Sequence, residues 1–338
     1  MQGQEPQMSF AEYELSLQRS TRMGQFLEQM GKLVPWEEIE RKCIEVGVYK
    51  PNRGQQGRPS YPCRVLVGSL FLQSWYGLSD PQTEELILAL PIYRTFLGIG
   101  VGGAVPDETT ICKFRNKMIS QGLMEWVFEL VRRKMEERGL MVRGGEIKIV
   151  DATIVSTAKP KKKEVEGGKK EKREYDKEAG YTKKREQIYY GYKVHIVTDK
   201  RGLVEKVITS SASVYDSQKV EELVEGVEVE ELYGDSGYMS KEREEWCKER
   251  GIKYRVIRRR VRGEGELPEA IRKENKEIAK VRGVVELPFA ILKRWMGYRG
   301  CRFRGLEKNG AYHFLLMAMY NLKRWYGMIK RGLQEAYA

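Results

Sequence analysis

The sequence predicts an α/β protein in which an all-helical N-terminal region precedes a mixed sheet with the element order βββαβαβα. Two observations carry this. The hydrophobic pattern keeps a helical period from residue 8 to about 135 and turns to strand-like runs from residue 146. From there, short β-branched runs alternate with helical ones, as in βαβ units. The boundaries read as 1–140 for the helical part, 141–298 for the sheet, and 299–338 for a basic segment with a last helix.

In the first part, "YPCRVLVGSLFLQSWYGL" (61–78) is apolar at helical spacing, with Gly77 as its stop. "SDPQTEELILALPIYRTFLGIG" opens on an Asp-Pro helix-start signal and ends in glycines. Asp107 is the expected N-cap of the next helix. Lys113, Arg115 and Lys117 on that helix, after a Gly-rich connection, fit either a helix-turn-helix-like DNA reader or a bundle with a basic wet face.

In the second part, "EIKIVDATIV" (146–155) is apolar on both faces, the mark of a central strand, and Asp151 is out of character there. The segment 156–187 has 10 Lys and 2 Arg against 7 acids, and reads as a loose loop, either a solvated linker or a stretch that orders on DNA phosphates. "IYYGYKVHIVT" (188–198) and "LVEKVITSS" (203–211) form a hairpin through "DKRG". Asp216 is expected to cap a short helix, and "VEVEELYGDSGY" gives a strand ending at Gly234-Asp235. Ser240 caps the next helix, "IKYRVIRR" is the fifth strand, and helices follow over roughly 269–297 and 309–327. Two right-handed crossovers make strands one, four and five parallel, the layout of a ribonuclease-H-like sheet.

In that layout Asp151 and Asp235 lie on neighbouring strands, and Glu286 follows 51 residues beyond Asp235. Each acid alone has an ordinary reading: a turn former, an Asx turn, a surface ion pair with Arg282 or Lys293. Together they would repel one another, a cluster that divalent cations neutralise. All-oxygen donors point to Mg²⁺ or Mn²⁺, two ions in a site suited to phosphodiester chemistry. A net charge of +13 and a pI near 9.3 suit a polyanionic partner, nucleic acid first. The heavy use of Lys, Arg and Glu also fits a heat-loving host.

The five cysteines are far apart in sequence and without a CxxC pair, which predicts free thiols in a reducing cytosol. No run of about 18 apolar residues and no secretion-type N-terminus occur, so a cytoplasmic, nucleoid-associated protein is expected, with no membrane partner. His195, on the hairpin strand beside strand one, is expected to be a hydrogen-bonded structural residue, with a catalytic role as the alternative, and His313 is expected to pack within its helix.

"IVDATIV", "YYGYKVHIVTD", "YGDSGY" and "VVELPFAILKRWMGYRGCRFRGLEKN", in that order, resemble the DDE transposases of bacterial insertion sequences, in particular their insertion-sequence-five-like branch. The resemblance spans about residues 60–325. It implies that Asp151, Asp235 and Glu286 are the catalytic, metal-binding triad. It implies cleavage at terminal inverted repeats, followed by transfer of the 3′-hydroxyl end to target DNA, by a homodimer or larger assembly. The family signature Tyr, two residues, Arg, three, Glu, six, Lys fits Arg282, Glu286 and Lys293, with Ala279 in the Tyr place. Lys193, Arg282, Lys293, Arg302, Arg304 and Lys308 are candidate DNA contacts, against the alternative of a basic surface with its counterions. Pro288 leaves two possibilities: a helix that starts near Val285, which would free Arg282 from the face of Glu286, or a kink. The rival functions are a non-catalytic DNA-binding descendant and a ribonuclease-H-like nuclease without strand transfer.

Overall fold

Residues 9–51, 60–100, 102–141, 147–160, 162–164, 170–172, 175–260 and 266–332 are described by a computed structural model. The chain divides into two units, Met1–Val127 with Leu322–Leu333, and Phe128–Asn321 with Gln334–Ala338.

The first unit is helical: α1 (Phe10–Ser20), α2 (Arg22–Leu33), α3 (Trp36–Glu45), α4 (Cys63–Tyr76), α5 (Asp80–Ala89), α6 (Pro91–Leu97), α7 (Glu108–Ser120) and the start of α8 (Leu123–Glu136). Polar caps set the boundaries. Ser9 and Glu12 form a capping box on α1, and the Gly24 N–H donates to Thr21 Oγ1 (3.0 Å) to open α2. Ser79, rather than the Asp-Pro pair behind it, caps α5 in a box with Gln82, while Pro81 sits in the first turn, where no N–H is needed. Asp107 accepts from the Thr110 N–H (2.7 Å), and Gly77 closes α4 at φ 67°.

Helix α4 is apolar all round because it is buried all round. At Gly68 an added Cβ would stand 2.4 Å from Leu97 Cδ2, so any larger residue would displace that side chain of α6. Phe26, Trp75 and Phe96 stack edge to face in this core, at 5.0 and 5.8 Å between successive centroids. All five cysteines are free, as expected, although Cys43 and Cys63 are brought together in this core with their thiols hydrogen-bonded.

The second unit holds β1 (Ile147–Ser156), β2 (Lys162–Glu164), β3 (Lys170–Lys172), β4 (Gly180–Lys184), β5 (Gln187–Asp199) and β6 (Val204–Ser211). There follow α9 (Val220–Val224), β7 (Glu231–Gly234), α10 (Lys241–Glu249), β8 (Lys253–Val256), α11 (Glu269–Arg282), α12 (Glu286–Arg294) and α13 (Leu306–Lys330). The main sheet runs β6-β5-β1-β7-β8, with β1, β7 and β8 parallel and β5 antiparallel to both β1 and β6. This is the ribonuclease-H-like mixed α/β order expected from the sequence. Val150, Val197, Leu223, Leu232 and Tyr238 form one core against the sheet.

Four local readings change. The basic segment is not uniformly loose: β2 pairs with β3, and β4 joins the main sheet on β5. Its residues 161, 165–169 and 173–174 lie outside the described set. The anchor is Asp176, buried in a segment that charge counting reads as solvated. Its Oδ2 accepts from Tyr192 Oη (2.7 Å) and from the Gly305 N–H (3.0 Å). Asp216 does not cap α9. It begins a 3₁₀ turn, and its carboxylate lies 3.0 Å from Lys193 Nζ. Ser240 stands at the N-cap of α10 without a side-chain cap bond. The long helix over 269–297 is interrupted by a 3₁₀ turn at Gly283–Val285.

Candidate active site

The sheet register brings two acids level. Ile147, Lys148 and Ile149 of β1 pair with Glu231, Leu232 and Tyr233 of β7, a constant offset of 84 positions. Asp151 and Asp235 are separated by the same 84, so both stand at the level where β1 and β7 part, at the carboxyl end of β7. Open α/β sheets present ligand sites along this edge.

Asp151 is held tightly, its side chain 15% exposed, and its Oδ1 accepts from the Ala152 N–H (2.9 Å). Asp235 Oδ1 accepts from the Gly237 N–H (2.7 Å), an Asx turn that fixes the carboxylate after the strand. Glu286 is the first residue of α12, with its side chain 67% exposed.

Arg282 links the group. Its guanidinium lies 3.4 Å from Asp151 Oδ2 and 3.7 Å from Glu286 Oε1. Both possibilities raised by Pro288 resolve here. Helix α12 does begin late, at Glu286, yet Gly283, Val285 and Glu286 all keep right-handed helical angles through the 3₁₀ turn. Arg282 and Glu286 therefore stay together, and Pro288 falls in the first turn of α12, where its missing N–H costs nothing.

Burial pushes the Asp151 carboxyl up from its ordinary 3.8 to about 6, with Asp235 and Glu286 adding to the rise and Arg282 and the Ala152 N–H opposing it. Because the folded state binds this proton more tightly than the unfolded chain, its stabilising contribution is complete below about pH 4 and disappears as pH rises through about 6. The metal-free Asp151→Asn variant should therefore gain on the wild type by about 2 kcal/mol between about pH 4 and pH 7. Denaturant titrations of both proteins measure that gap, and a pH-independent difference contradicts the assignment.

A cavity of about 720 Å³ opens onto these acids. Asp151, Asp235, Glu286 and Arg282 line it together with Asp216 and with Lys183, Lys184 and Arg185 at the β4–β5 turn. The Tyr238 hydroxyl is buried without a hydrogen-bond partner, and burial first, then the charges of Asp151, Asp216 and Asp235, raise its pKa. As placed, no three acids among the described residues stand close enough to hold one ion. The donor set nevertheless fits a hard divalent cation: oxygen atoms only, on one cavity wall, around a carboxylate whose ionised form lacks sufficient counter-charge.

The remaining candidates fall into three groups. Lys293 Nζ donates to Thr153 Oγ1 (2.6 Å), two residues from Asp151. The segment carrying Arg302, Arg304 and Lys308 abuts the end of β1, where the Cys301 N–H donates to the Ser156 carbonyl (2.9 Å). Arg302 also stacks over Tyr312, while Arg304 and Lys308 are exposed. Lys113 and Lys117 are exposed on α7.

Two expected DNA contacts are directed elsewhere. Arg115 is buried, its Nη2 donating to Asp80 Oδ2 (2.7 Å). Lys193 is buried too, donating to the Val214 carbonyl (2.7 Å) and paired with Asp216 (3.0 Å). Both guanidinium and ammonium are matched to internal acids. His195 and His313 are structural: each is fully buried, bonded to Ser210 and to Thr209 and Tyr298 respectively, and pushed down to about 3 by burial.

Sequence reasoning missed Asp216, Arg259 and the Lys183-Lys184-Arg185 tip as lining of the site. The signal for the tip was present, since "YTKK" and "QIYY" flank a two-residue turn, but the surrounding charge run obscured it.

A cryo-EM structure of the piggyBac transposase synaptic complex with hairpin DNA aligns at a TM-score of 0.43 with 12% identity, over 92% of this chain and 78% of that one. The family described as Transposase domain (DUF772) matches residues 15–117, within the helical unit. The family described as Transposase DDE domain matches residues 143–322, the span that contains all three acids. Covering more than half of the chain, that match makes this protein a member of the DDE transposases of the insertion-sequence type.

Proposed function

We propose that this transposase cleaves phosphodiester bonds at the terminal inverted repeats of an insertion sequence of the five-like branch and joins the freed 3′-hydroxyl ends to target DNA. Asp151, Asp235 and Glu286 are its catalytic carboxylates. The observation that carries the reading is the shared level of Asp151 and Asp235 on adjacent parallel strands, with Glu286 joined to Asp151 through Arg282.

These three acids would hold two Mg²⁺ or Mn²⁺ ions. Such ions, when bound, supply activation of the attacking oxygen and charge relief at the leaving oxygen. Asp151 brings its carboxylate on the central strand, which pairs with β5 at Asp151 itself and with β7 just before it. Arg282 offsets the repulsion between Asp151 and Glu286. Lys293, steadied by Thr153, meets the phosphate next to the reacting bond, and Arg302, Arg304 and Lys308 continue the contact along the backbone. Lys113 and Lys117 on the helical unit contribute to end binding. The protein acts at the nucleoid, as a homodimer or larger assembly on DNA.

The test uses duplexes carrying the inverted repeats that flank the reading frame, with a supercoiled plasmid as target. Mg²⁺ should give a new 3′-hydroxyl end and a joined product, and EDTA should remove both. Cleavage that persists in EDTA overturns the reading. Cleavage without any joining replaces it with a nuclease.

A further inference from the structure

The β4–β5 hairpin is mounted as an arm beside the acids. The segment Gln187–Tyr190 of β5 runs past the last β1 pair, Ser156↔Gly191, and β4 pairs with that overhang as far as Lys184↔Gln187. Beyond Gly191 the hairpin extends four residues to its turn, and the tip lines the cavity that holds Asp151. The root is seated without slack: a Cβ at Gly180 would come within 2.2 Å of Ser211 Oγ, and one at Gly191 within 2.1 Å of the Val155 carbonyl. Asp176, bonded to Tyr192 and to the Gly305 N–H, ties the incoming chain to the same place.

At the tip, charge and backbone both stand out. Arg185 has φ 56°, the one positive value at a non-glycine position among the described residues, at a hairpin site where glycine is the usual occupant. Lys183 has a carboxylate nearby, Glu186 at 3.5 Å. Among the described residues neither Lys184 nor Arg185 has an acid within ion-pair reach, and both are exposed on the cavity that holds Asp151. Lys184 also lies close enough to Lys293 for their repulsion to add to burial in lowering the Lys293 ammonium. Lys184 and Lys293, on separate elements, repel one another, and although the charge of Asp151 also reaches Lys293, Lys184 and Arg185 are exposed on the cavity without an ion-pair partner of their own among the described residues, which leaves a place for a shared anion.

We propose that this tip is a strand clamp: Lys184 and Arg185, with Lys293 beside them, grip backbone phosphates of the DNA strand whose bond lies at Asp151. The clamp contacts phosphate and not base edges, so it holds single-stranded or frayed DNA irrespective of sequence. It rests on the active-site reading above for the strand's destination, not for the contact itself.

The experiment is fluorescence anisotropy of the full chain with a labelled oligothymidylate of about 20 nucleotides across about 50–200 mM salt, the range over which phosphate contacts separate. Lys184→Ala/Arg185→Ala should reduce the slope of log K against log salt by about 1.4, because each single-strand contact contributes about 0.7. Lys184→Arg/Arg185→Lys should keep the wild-type slope, as should Lys280→Ala, an exposed cation already paired with Glu277. Arg185→Gly separates the clamp from a structural role: relieving the positive φ should raise the melting temperature by about 2 °C while the slope falls by about 0.7. An unchanged slope in the double alanine variant, or an equal fall in Lys280→Ala, overturns the clamp. Cleavage that survives Asp151→Asn, with the clamp's slope change intact, overturns the active-site reading alone.

Discussion

Asp151→Asn is expected to lower end cleavage by on the order of 10⁴-fold, the scale on which a central catalytic group acts, while binding of the same duplex stays within about 3-fold of wild type. Asparagine preserves shape and the hydrogen bond from the Ala152 N–H, so the fold remains. What disappears is the negative charge that Arg282 and a divalent cation would meet. Asp235→Asn should behave alike, since it stands at the same level of the sheet. Strand-resolved gels with Mg²⁺ measure cleavage, and a parallel binding titration separates lost chemistry from lost affinity. Cleavage by Asp151→Asn at the wild-type rate would remove this residue from the reaction.

Arg115→Ala is expected to destabilise the helical unit by about 3 kcal/mol and to lower its melting temperature by about 6–10 °C. The guanidinium meets both Asp80 oxygens and also Gln73, so truncation leaves a largely buried carboxylate without its counterion. The Asp80 side chain keeps 22% exposure, which places the loss at the lower end of the range for buried pairs. Combining Arg115→Met with Asp80→Asn should recover about half of it, because no charge then stays buried. Salt-dependent DNA binding at temperatures where the variant is folded should be unaltered. An unchanged melting temperature with weakened DNA binding would return Arg115 to the DNA-contact role read from the sequence.

The sheet was legible because its parallel strands are short apolar runs bounded by turn residues, and crossover handedness leaves few ways to order them. Asp151 stood out for the same reason, as an acid in a run apolar on both faces. Arg115 illustrates what such reading overlooks. Ile111, Phe114 and Met118 define the buried stripe of α7, and Arg115, four positions after Ile111, lies within it. Residue type pointed to solvent and position pointed to the core; position prevailed because Asp80 waits on the neighbouring helix. Strand β4 escaped notice since its own composition is dominated by Lys183 and Lys184, while the residues that secure it, Asp176, Tyr190 and Tyr192, lie just outside it on either side.

The equal offset along β1 and β7 has a consequence for how such a chain can change length. The sheet acts as a ruler: the two acids meet because their strands are in register, whatever the chain does between them. Thirty residues of basic insertion occupy that interval, at roughly the length of a whole βαβ unit, without moving either carboxylate from its level. A single residue added inside β1 ahead of Asp151 would instead turn the carboxylate to the opposite face and shift it by one step, about 3.3 Å. Growth and loss are therefore tolerated in the excursions from the sheet and forbidden within its two central strands.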